Sequence, residues 1–381
     1  MSQYTLELAQ KLMQRKSVTP ENDGAIELLA EELAKLGFKN TILSFSDNNL
    51  PEIHNLYAKF GNSAKNLAFA GHTDVVPAGD ITKWSFDPFS ATIDNNILYG
   101  RGAVDMKVAI ACFLGAVKLF LAKNPDFNNS ISFLITGDEE DIAINGTVKV
   151  IDYLVKNNEK ISHTIVGEPT NPEKIGEMVK VGRRGSVNFT LTAIGKQGHV
   201  AYPENAINPI TALIKTLNLL IDHQFDLGNK YFDPTHLEVT SFDVDNSTTN
   251  IIPESATAKF NIRFNSEYDS KQIIQIIDEA CSKTLAQYEL DHRVSGESFL
   301  TEDINLQNMI TTAVKDVVGK APILSTTGGT SDARFIKNIC PTIEFGLINK
   351  TAHQIDEHIA LDDIEKLEKI YLRFLELYFQ S

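Results

Sequence analysis

The residues of this chain with the clearest chemical potential are two histidines and three carboxylates, each placed where a predicted strand gives way to a loop. They are His72, Asp105, Glu140, Glu168 and His353. Imidazole nitrogens and carboxylate oxygens form a hard, mixed ligand set that suits a pair of zinc-type ions better than one structural zinc. Glu139 stands beside one of these carboxylates, and a carboxylate that holds no metal is what metal-assisted hydrolysis needs as a general base. The pattern therefore predicts a hydrolytic metal site.

Several of these residues also have a purely structural interpretation. His72 and Asp74 end a strand, where they could act as a ligand and the carboxylate that fixes its tautomer, or simply cap the strand end in solvent. Asp105 lies between a glycine-rich turn and a long apolar helix, so it could bridge two metals or cap the helix. The three acids at 138–140 would raise one another's pKa unless cations were present, although a solvated acidic turn has the same composition.

Other motifs leave alternatives open as well. Glu168 before a proline and His353 beyond the last strand are compatible with a turn residue and a surface-loop residue. Gly100 and Gly102 lack the remaining spacing and the preceding strand of a dinucleotide fingerprint, which argues against a nucleotide-binding oxidoreductase. His199 is either a loop residue or a hydrogen-bond donor to a developing oxyanion.

Composition narrows the class of protein. The 381 residues exceed what one hydrophobic core usually supports, so two domains are expected. The net charge of −15 disfavours nucleic acid and anionic membranes as partners. Three widely spaced cysteines predict a reducing, cytoplasmic compartment, and no apolar run approaches the length of a membrane span. We therefore expect a soluble, cytoplasmic enzyme of two domains.

The elements that must position the ligands alternate between strands and helices. Strands are predicted at 67–70, 131–136 and 164–166, and helices near 22–36, 103–122 and 147–155. This alternation is typical of a largely parallel sheet covered on both faces, in which ligands gather at the carboxyl ends of strands. His72, Glu139, Glu140 and Glu168 all fall just beyond such ends, which supports the site independently of their chemistry.

A second pattern interrupts the first. From residue 181 the predicted order is strand, helix, strand, strand, helix, strand, which is typical of a ferredoxin-like domain. The α/β pattern then resumes and continues to the end of the chain. We therefore predict an α/β fold with a discontinuous catalytic domain, residues 1–180 and 296–381, and an inserted domain, residues 181–295.

Seven motifs, in order along nearly the whole chain, resemble those of the dinuclear zinc amidohydrolase/aminopeptidase family. They are HTD from His72, GRGAVDMK from Gly100, DEE from Asp138, GEP from Gly167, GRRGS from Gly182, QGHVAYP from Gln197 and STTGGTSDARF from Ser325. The metal motifs indicate only the family. GRRGS, QGHVAYP and GGTSD are more similar to its desuccinylases than to its acetylornithine deacetylases, peptidases or aminoacylases.

The resemblance implies a role for each ligand. Asp105 would bridge two zinc ions, for which cobalt or manganese can substitute. His72 and Glu168 would complete one site, and Glu140 and His353 the other. The resemblance also implies a cis peptide bond after Asp105.

The same resemblance implies a reaction. Glu139 would accept a proton from the attacking water and pass it to the departing amine, and Asp74 would orient His72. The substrate implied is N-succinyl-L,L-2,6-diaminopimelate, cleaved to succinate and L,L-2,6-diaminopimelate in bacterial lysine and cell-wall synthesis. Its carboxylates call for Arg183, Arg184 or Arg263, because a guanidinium can grip a carboxylate through two hydrogen bonds.

Further substrate contacts and a partner follow from the resemblance. The other positions that match the family's substrate contacts are Ser186, Tyr202, Asn250, Gly328, Gly329 and Thr330. The inserted domain would form a homodimer in which His199 and Asn250 reach the active site of the partner subunit.

Two other functions are compatible with parts of this pattern. Another deacylase or peptidase of the same family, such as one resembling acetylornithine deacetylase, would share the metal motifs. A non-catalytic metal-binding or scaffold protein would be expected to lack a ligand or Glu139, and all of these residues are present.

Overall fold

The computed structural model describes residues 1–380, apart from the side chain of Asn48; Ser381 lies outside the described residues. The chain divides into two compact units. The first unit contains Met1–Val181, Thr301–Ser325 and the chain from Ser331 onward, and the second contains Gly182–Leu300 and Thr326–Thr330.

The boundaries of the second unit differ from the predicted 181–295, and specific contacts explain the difference. Phe299–Leu300 pairs with Gly182–Arg183 as a short antiparallel ribbon, so the second unit extends to Leu300. Thr326 Oγ1 donates to the carbonyl of Tyr231, and Arg183 Nη1 donates to the carbonyl of Gly329 at 3.1 Å. These contacts join a short segment of the later sequence to the second unit.

Helices within residues 1–380 are α1 Gln3–Met13, α2 Ala25–Lys35, α3 Lys107–Lys123, α4 Thr147–Lys156, α5 Pro209–Ile221, α6 Ser270–Thr284, α7 Ile304–Val318, α8 Ala333–Ile336 and α9 Leu361–Gln380. None of the helices in this described range has the length and apolarity that a bilayer crossing requires.

The strands are β1 Lys39–Phe45, β2 Ile53–Phe60, β3 Asn66–His72, β4 Thr92–Asp94, β5 Ile97–Tyr99, β6 Ser130–Thr136, β7 His163–Val166, β8 Met178–Lys180, β9 Gly182–Arg183, β10 Gly185–Ile194, β11 Gly198–His199, β12 His236–Asp243, β13 Ile251–Ile252, β14 Ser255–Phe264, β15 Tyr288–Gly296, β16 Phe299–Leu300, β17 Ile323–Ser325, β18 Thr342–Glu344 and β19 His358–Ala360.

The first unit is built on a mixed, mostly parallel sheet in the order β1-β2-β6-β3-β7-β18-β8-β17. Its centre, β6-β3-β7-β18, is parallel throughout, as the alternating pattern predicted. The antiparallel strands β1 and β2 and the helix α1 were not predicted. β1 is an edge strand without a fully buried residue, so its sequence lacks the apolar run that identified β3 and β6.

Helix α3 is buried along most of its length and fixes the loop that precedes it. Residues 107–117 are all buried, and a helix that is apolar on all sides is expected in a core. Phe113 of α3 stacks on Phe69 of β3 with ring centroids 4.5 Å apart, and both rings contact Tyr371 of α9. The beginning of α3 is therefore held against the strand that ends at His72.

The second unit has the predicted ferredoxin-like arrangement. Its elements follow the order β10-α5-β12-β14-α6-β15, and its four-stranded sheet has the order β12-β14-β10-β15 with every pair antiparallel. Alternate residues of β14 are buried, which is typical of a sheet covered on one face. Phe189 and Phe260 stack at the centre of this core with ring centroids 5.0 Å apart. β12 and β15 form the two edges of the sheet.

Candidate metal centre

Three neighbouring parallel strands end at the same edge of the first unit's sheet. His72 is the last residue of β3, while Glu139 and Glu140 follow β6, and Glu168 follows β7. β3 pairs in parallel with β6 on one side and with β7 on the other. The strand order therefore brings together side chains that lie far apart in the sequence.

The other four predicted ligands lie around the carboxylate of Asp105. His72 Nε2 lies 3.1 Å from Asp105 Oδ1, and His353 Nε2 lies 3.3 Å from Asp105 Oδ2. His353 Nε2 also lies 2.9 Å from Glu140 Oε1, and His72 Nε2 lies 3.8 Å from Glu168 Oε1. Each oxygen of Asp105 thus faces a different histidine, and each histidine has a second carboxylate beside it.

The electrostatics of this cluster fit bound cations. Burial raises the pKa of Glu168 and of Glu139 well above the usual range, and nearby carboxylates raise both further. Burial also acts to raise the pKa of Asp105, but hydrogen bonds from His353 and His72 outweigh it and leave that pKa low. Among the described residues, no hydrogen-bond donor reaches the buried oxygen Glu168 Oε1. A buried carboxylate oxygen without a donor is costly unless a cation or proton neutralises it, so the residues present fit a pair of cations.

Asp105 does not act as a helix cap. The residue at the N-cap of α3 is Met106, and no side chain there makes a capping hydrogen bond. The peptide bond between Asp105 and Met106 is cis, as the family resemblance implied. The structural alternative for Asp105 is therefore wrong, and its side chain faces the histidines instead.

Asp74 contacts the site differently from the prediction. His72 Nδ1 donates to the backbone carbonyl of Asp74 at 2.9 Å, whereas the nearest carboxylate oxygen of Asp74 is 3.6 Å away. Because a carbonyl only accepts, Nδ1 carries the hydrogen and Nε2 is the ring nitrogen available to a metal. The carboxylate of Asp74 instead accepts the backbone N–H groups of Glu139 at 3.1 Å and Glu140 at 3.0 Å. The Asp74 carboxylate therefore holds the backbone of the turn at 138–140.

Four other buried charged residues lie on the segments that carry the candidate ligands. Asp138, the first acid of the run, accepts two backbone N–H groups of its own loop. Lys107 Nζ donates to the carbonyl of Arg15 at 2.7 Å, and burial lowers the pKa of Lys107 to about 7. Glu357 pairs with Arg101. Glu357 was not predicted from the sequence, because it belongs to no motif that indicates which residue it contacts.

The three arginines predicted for substrate carboxylates all lie in the second unit. Within residues 1–380, Nε of Arg184 and Nη1 of Arg263 are buried without a hydrogen-bond partner. Burial lowers the pKa of Arg263, and the charges of Arg184 and Arg183 lower it further. Ser186 on β10 lies directly opposite Arg263 on β14. This region concentrates positive charge in an otherwise acidic protein and suits an anionic group.

The predicted segment Gly328 to Thr330 belongs to the same unit and contacts one of these arginines. Arg183 Nη1 donates to the carbonyl of Gly329 at 3.1 Å. Gly328 has a φ of +100°, and a Cβ atom there would lie 2.7 Å from Arg183 Nη1. A side chain at Gly328 would therefore strain the backbone and displace the guanidinium.

His199, Tyr202 and Asn250 form a separate, exposed group on the second unit. The rings of His199 and Tyr202 have centroids 5.7 Å apart, and the carbonyl of Asn250 accepts the N–H of Val200 at 3.0 Å. His199 Nδ1 accepts the N–H of Ala201 at 3.0 Å. Because Nδ1 accepts, Nε2 carries the hydrogen of the neutral ring and is available as a donor.

Comparison with known proteins identifies the family. Residues 68–377 match the model of peptidase family M20/M25/M40. The chain belongs to this family. Two relatives in the M20/M25/M40 family are named succinyl-diaminopimelate desuccinylase. The protein from Pelagibacter ubique (strain HTCC1062) is 50% identical over 376 residues, and that from Ehrlichia canis (strain Jake) is 48% identical over 378 residues; each match covers 98% of both chains.

Solved structures of M20 proteins share the fold. An M20 family metallo-carboxypeptidase, Sso-CP2 from Sulfolobus solfataricus, matches with a TM-score of 0.81 at 22% identity and covers 100% of both chains. The Bacillus subtilis YXEP protein, described as a dinuclear metal binding peptidase, matches with a TM-score of 0.69 at 15% identity, covering 98% of this chain and 97% of its own. At these identities the likeness concerns the M20 fold alone.

Proposed function

We propose that this protein hydrolyses the amide bond of N-succinyl-L,L-2,6-diaminopimelate, releasing succinate and L,L-2,6-diaminopimelate, with two zinc ions per chain. The observation that carries the proposal is the carboxylate of Asp105, whose oxygens each face a different histidine. Relatives close to half identical over nearly the entire chain, named for this reaction, support the choice of substrate.

The proposed ligands fall into two sets that share Asp105. One set is His72, Asp105 and Glu168, and the other is His353, Asp105 and Glu140. When bound, zinc would polarise the amide carbonyl and make water a stronger nucleophile near neutral pH.

Glu139 is the proposed general base. Its backbone is held by the carboxylate of Asp74, and its side chain groups with those of His72 and Glu168. In hydrolysis Glu139 removes one proton from the attacking water, whose oxygen forms the new bond to the succinyl carbonyl carbon. The proton then moves to the amide nitrogen as the carbon–nitrogen bond breaks. One water is consumed, and succinate and the free amine are released.

A test of the bound metal follows from the ligand sets. We expect metal-free protein, prepared with a chelator and desalted, to be inactive and to regain activity as zinc is added. Elemental analysis of the reactivated protein should reach two ions per chain, because the shared carboxylate provides for a dinuclear site. Full activity at one ion per chain would contradict the bridging role of Asp105.

The arginines of the second unit are the proposed partners of the substrate carboxylates. Replacing Arg263 with Ala should lower kcat/KM for the succinylated substrate by about 10–100-fold, because a hydrogen bond to a charged group contributes roughly 1.5–3 kcal/mol. N-acetyl-diaminopimelate lacks the succinyl carboxylate. If Arg263 binds that group, the loss should be much smaller for the acetylated compound.

Arg293→Ala provides a matched control, since Arg293 is an exposed arginine on β15 of the same unit. This variant should keep the wild-type preference. Equal losses on both substrates for Arg263→Ala would place Arg263 elsewhere on the substrate or outside its contacts.

A homodimer formed through the second unit completes the proposal. β12 is an edge strand with exposed Val239 and Phe242, and α5 exposes Leu219 and Ile221. An unpaired edge strand with apolar side chains is an association surface unless it is blocked. Pairing of two such units would cover these residues and allow His199 and Asn250 to serve the partner subunit's active site.

A reducing, cytoplasmic setting, in keeping with three unpaired cysteines, is also part of the proposal.

A further inference from the structure

Two loops that carry proposed ligands of the same ion are joined by a buried network. Asp105 ends the glycine-rich loop from Gly100, and His353 begins the loop that leads to Glu357. The N–H of Gly100 donates to the carbonyl of Glu357 at 2.9 Å. Arg101 Nη1 donates to the carbonyl of Gln354 at 3.3 Å. One backbone–backbone contact and one from the Arg101 side chain thus connect the two loops.

The carboxylate of Glu357 lies at the centre of this network, and it is fully buried. Its Oε1 accepts the backbone N–H groups of Val104 at 2.8 Å and Asp105 at 3.2 Å. Its Oε2 accepts Arg101 Nη1 at 2.7 Å. One side chain thus binds the peptide groups that lead into Asp105 and the arginine that holds the loop of His353.

Arg101 is itself fixed from two further sides. Its Nη2 donates to the carbonyl of Pro77 at 3.2 Å, and its guanidinium lies 5.3 Å from the ring of Trp84. Trp84 is the single tryptophan of the chain, so tryptophan fluorescence reports on one location, which includes Arg101. A stacked, multiply bonded arginine is a rigid anchor for the carboxylate.

We propose that Glu357 is a positioning residue, which sets the distance between Asp105 and His353 and so determines the affinity for the ion that these two residues share. The inference rests on the proposed dinuclear function. His353 is 47% exposed, so packing does little to fix its imidazole. The network through Glu357 and Arg101 holds its loop to the loop of Asp105, next to the pairing of β19 with β5. Groups that orient metal ligands in this way typically contribute about 10–100-fold to metal affinity.

A purely structural role for the buried pair makes a different prediction. Breaking a buried ion pair lowers stability wherever the pair lies, because one charge is left without its partner. A structural role would therefore lower the melting temperature without changing the relative affinities of the two ions. A positioning role weakens the binding of one ion more than the binding of the other.

The test is a zinc titration of the full-length metal-free protein by calorimetry, with Trp84 fluorescence to verify the local change. Glu357→Gln keeps the size of the side chain but cannot accept from Arg101 and from the two backbone N–H groups together. We expect the ion held by His353, Asp105 and Glu140 to bind about 10–100-fold more weakly. The other ion should keep an affinity closer to that of the wild type, because it shares only Asp105 with that set of ligands. Arg101→Lys keeps a cation beside Glu357 and should weaken the binding of the ion held by His353 to a smaller extent.

Glu368→Gln is the matched control. Glu368 is also a buried glutamate that accepts three hydrogen bonds, but its partners are Ser2 and Thr5 rather than a ligand-bearing loop. This variant should lose stability and keep the wild-type affinity for both ions.

The outcomes separate the inference from the proposed function. If the folded Glu357→Gln variant binds both ions with wild-type affinity, or weakens the binding of both equally, the positioning role of Glu357 is overturned. If that variant does not fold, Arg101→Lys decides by the same criterion. A wild-type protein that binds only one ion would overturn the dinuclear function on which the inference rests.

Discussion

Replacing Glu139 with Gln should reduce kcat by about 10²–10⁴-fold while the protein keeps its metal, because the change removes a proton acceptor and no proposed ligand. Gln has nearly the shape of Glu, and the backbone contact from Asp74 to residue 139 does not depend on the side chain. The measurements are the turnover of the zinc-loaded variant and its metal content by elemental analysis.

Glu140→Gln is the neighbouring control. Glu140 Oε1 lies 2.9 Å from His353 Nε2, so its substitution should lower metal occupancy first and activity as a consequence. Added zinc should partly restore the activity of Glu140→Gln, whereas Glu139→Gln should remain inactive. The reverse pattern would mean that the base and the ligand have been exchanged in our proposal.

Mixing a His199→Ala chain with a Glu139→Gln chain should restore activity that neither variant has alone. His199 Nε2 is the proposed donor to the oxyanion in the partner subunit's site, and loss of one such donor costs about 10²–10³-fold in rate. In the mixed dimer, one of the two sites contains both a working base and a working donor. The measurement is the specific activity after subunit exchange, relative to each parent.

Two conditions make this experiment decisive. Exchange must be verified, for example by native mass spectrometry of chains that differ in a tag. As a control, each variant is also mixed with wild-type protein, which gives the specific activity expected when wild-type chains are only diluted. If the verified mixed dimer remains as inactive as its parents, His199 acts within its own chain or has no part in the reaction.

The fold and the cluster of candidate ligands could largely be predicted from local sequence signals. Apolar runs in the sequence identified β3, β6 and β7. Because ligands gather at the carboxyl ends of parallel strands, these strands predicted that His72, Glu140 and Glu168 lie close together. The order β-α-β-β-α-β was sufficient to predict the second unit, because the apolar residues of each element recur with a clear helical or strand periodicity.

What could not be predicted depends on contacts between distant segments. β1 has no fully buried residue, so only its pairing with β2 reveals it as a strand. The acceptor for His72 Nδ1 is the carbonyl of Asp74 rather than its carboxylate, a choice made by backbone geometry. Glu357 became evident only when the folded chain placed it beside Arg101. A buried cation predicts that an anion is near, but the sequence alone does not say which one.

The measurement that tests the central proposal most directly is kcat/KM of the zinc-loaded protein for three classes of substrate under one set of conditions. The compounds are N-succinyl-L,L-2,6-diaminopimelate, N-acetylornithine and a panel of dipeptides. We predict that the succinylated compound is preferred by at least ~100-fold, because polar groups built to bind its carboxylates would be left unpaired by the others. An equal or higher kcat/KM for acetylornithine or a dipeptide would contradict the proposed activity and leave only membership of the M20/M25/M40 family.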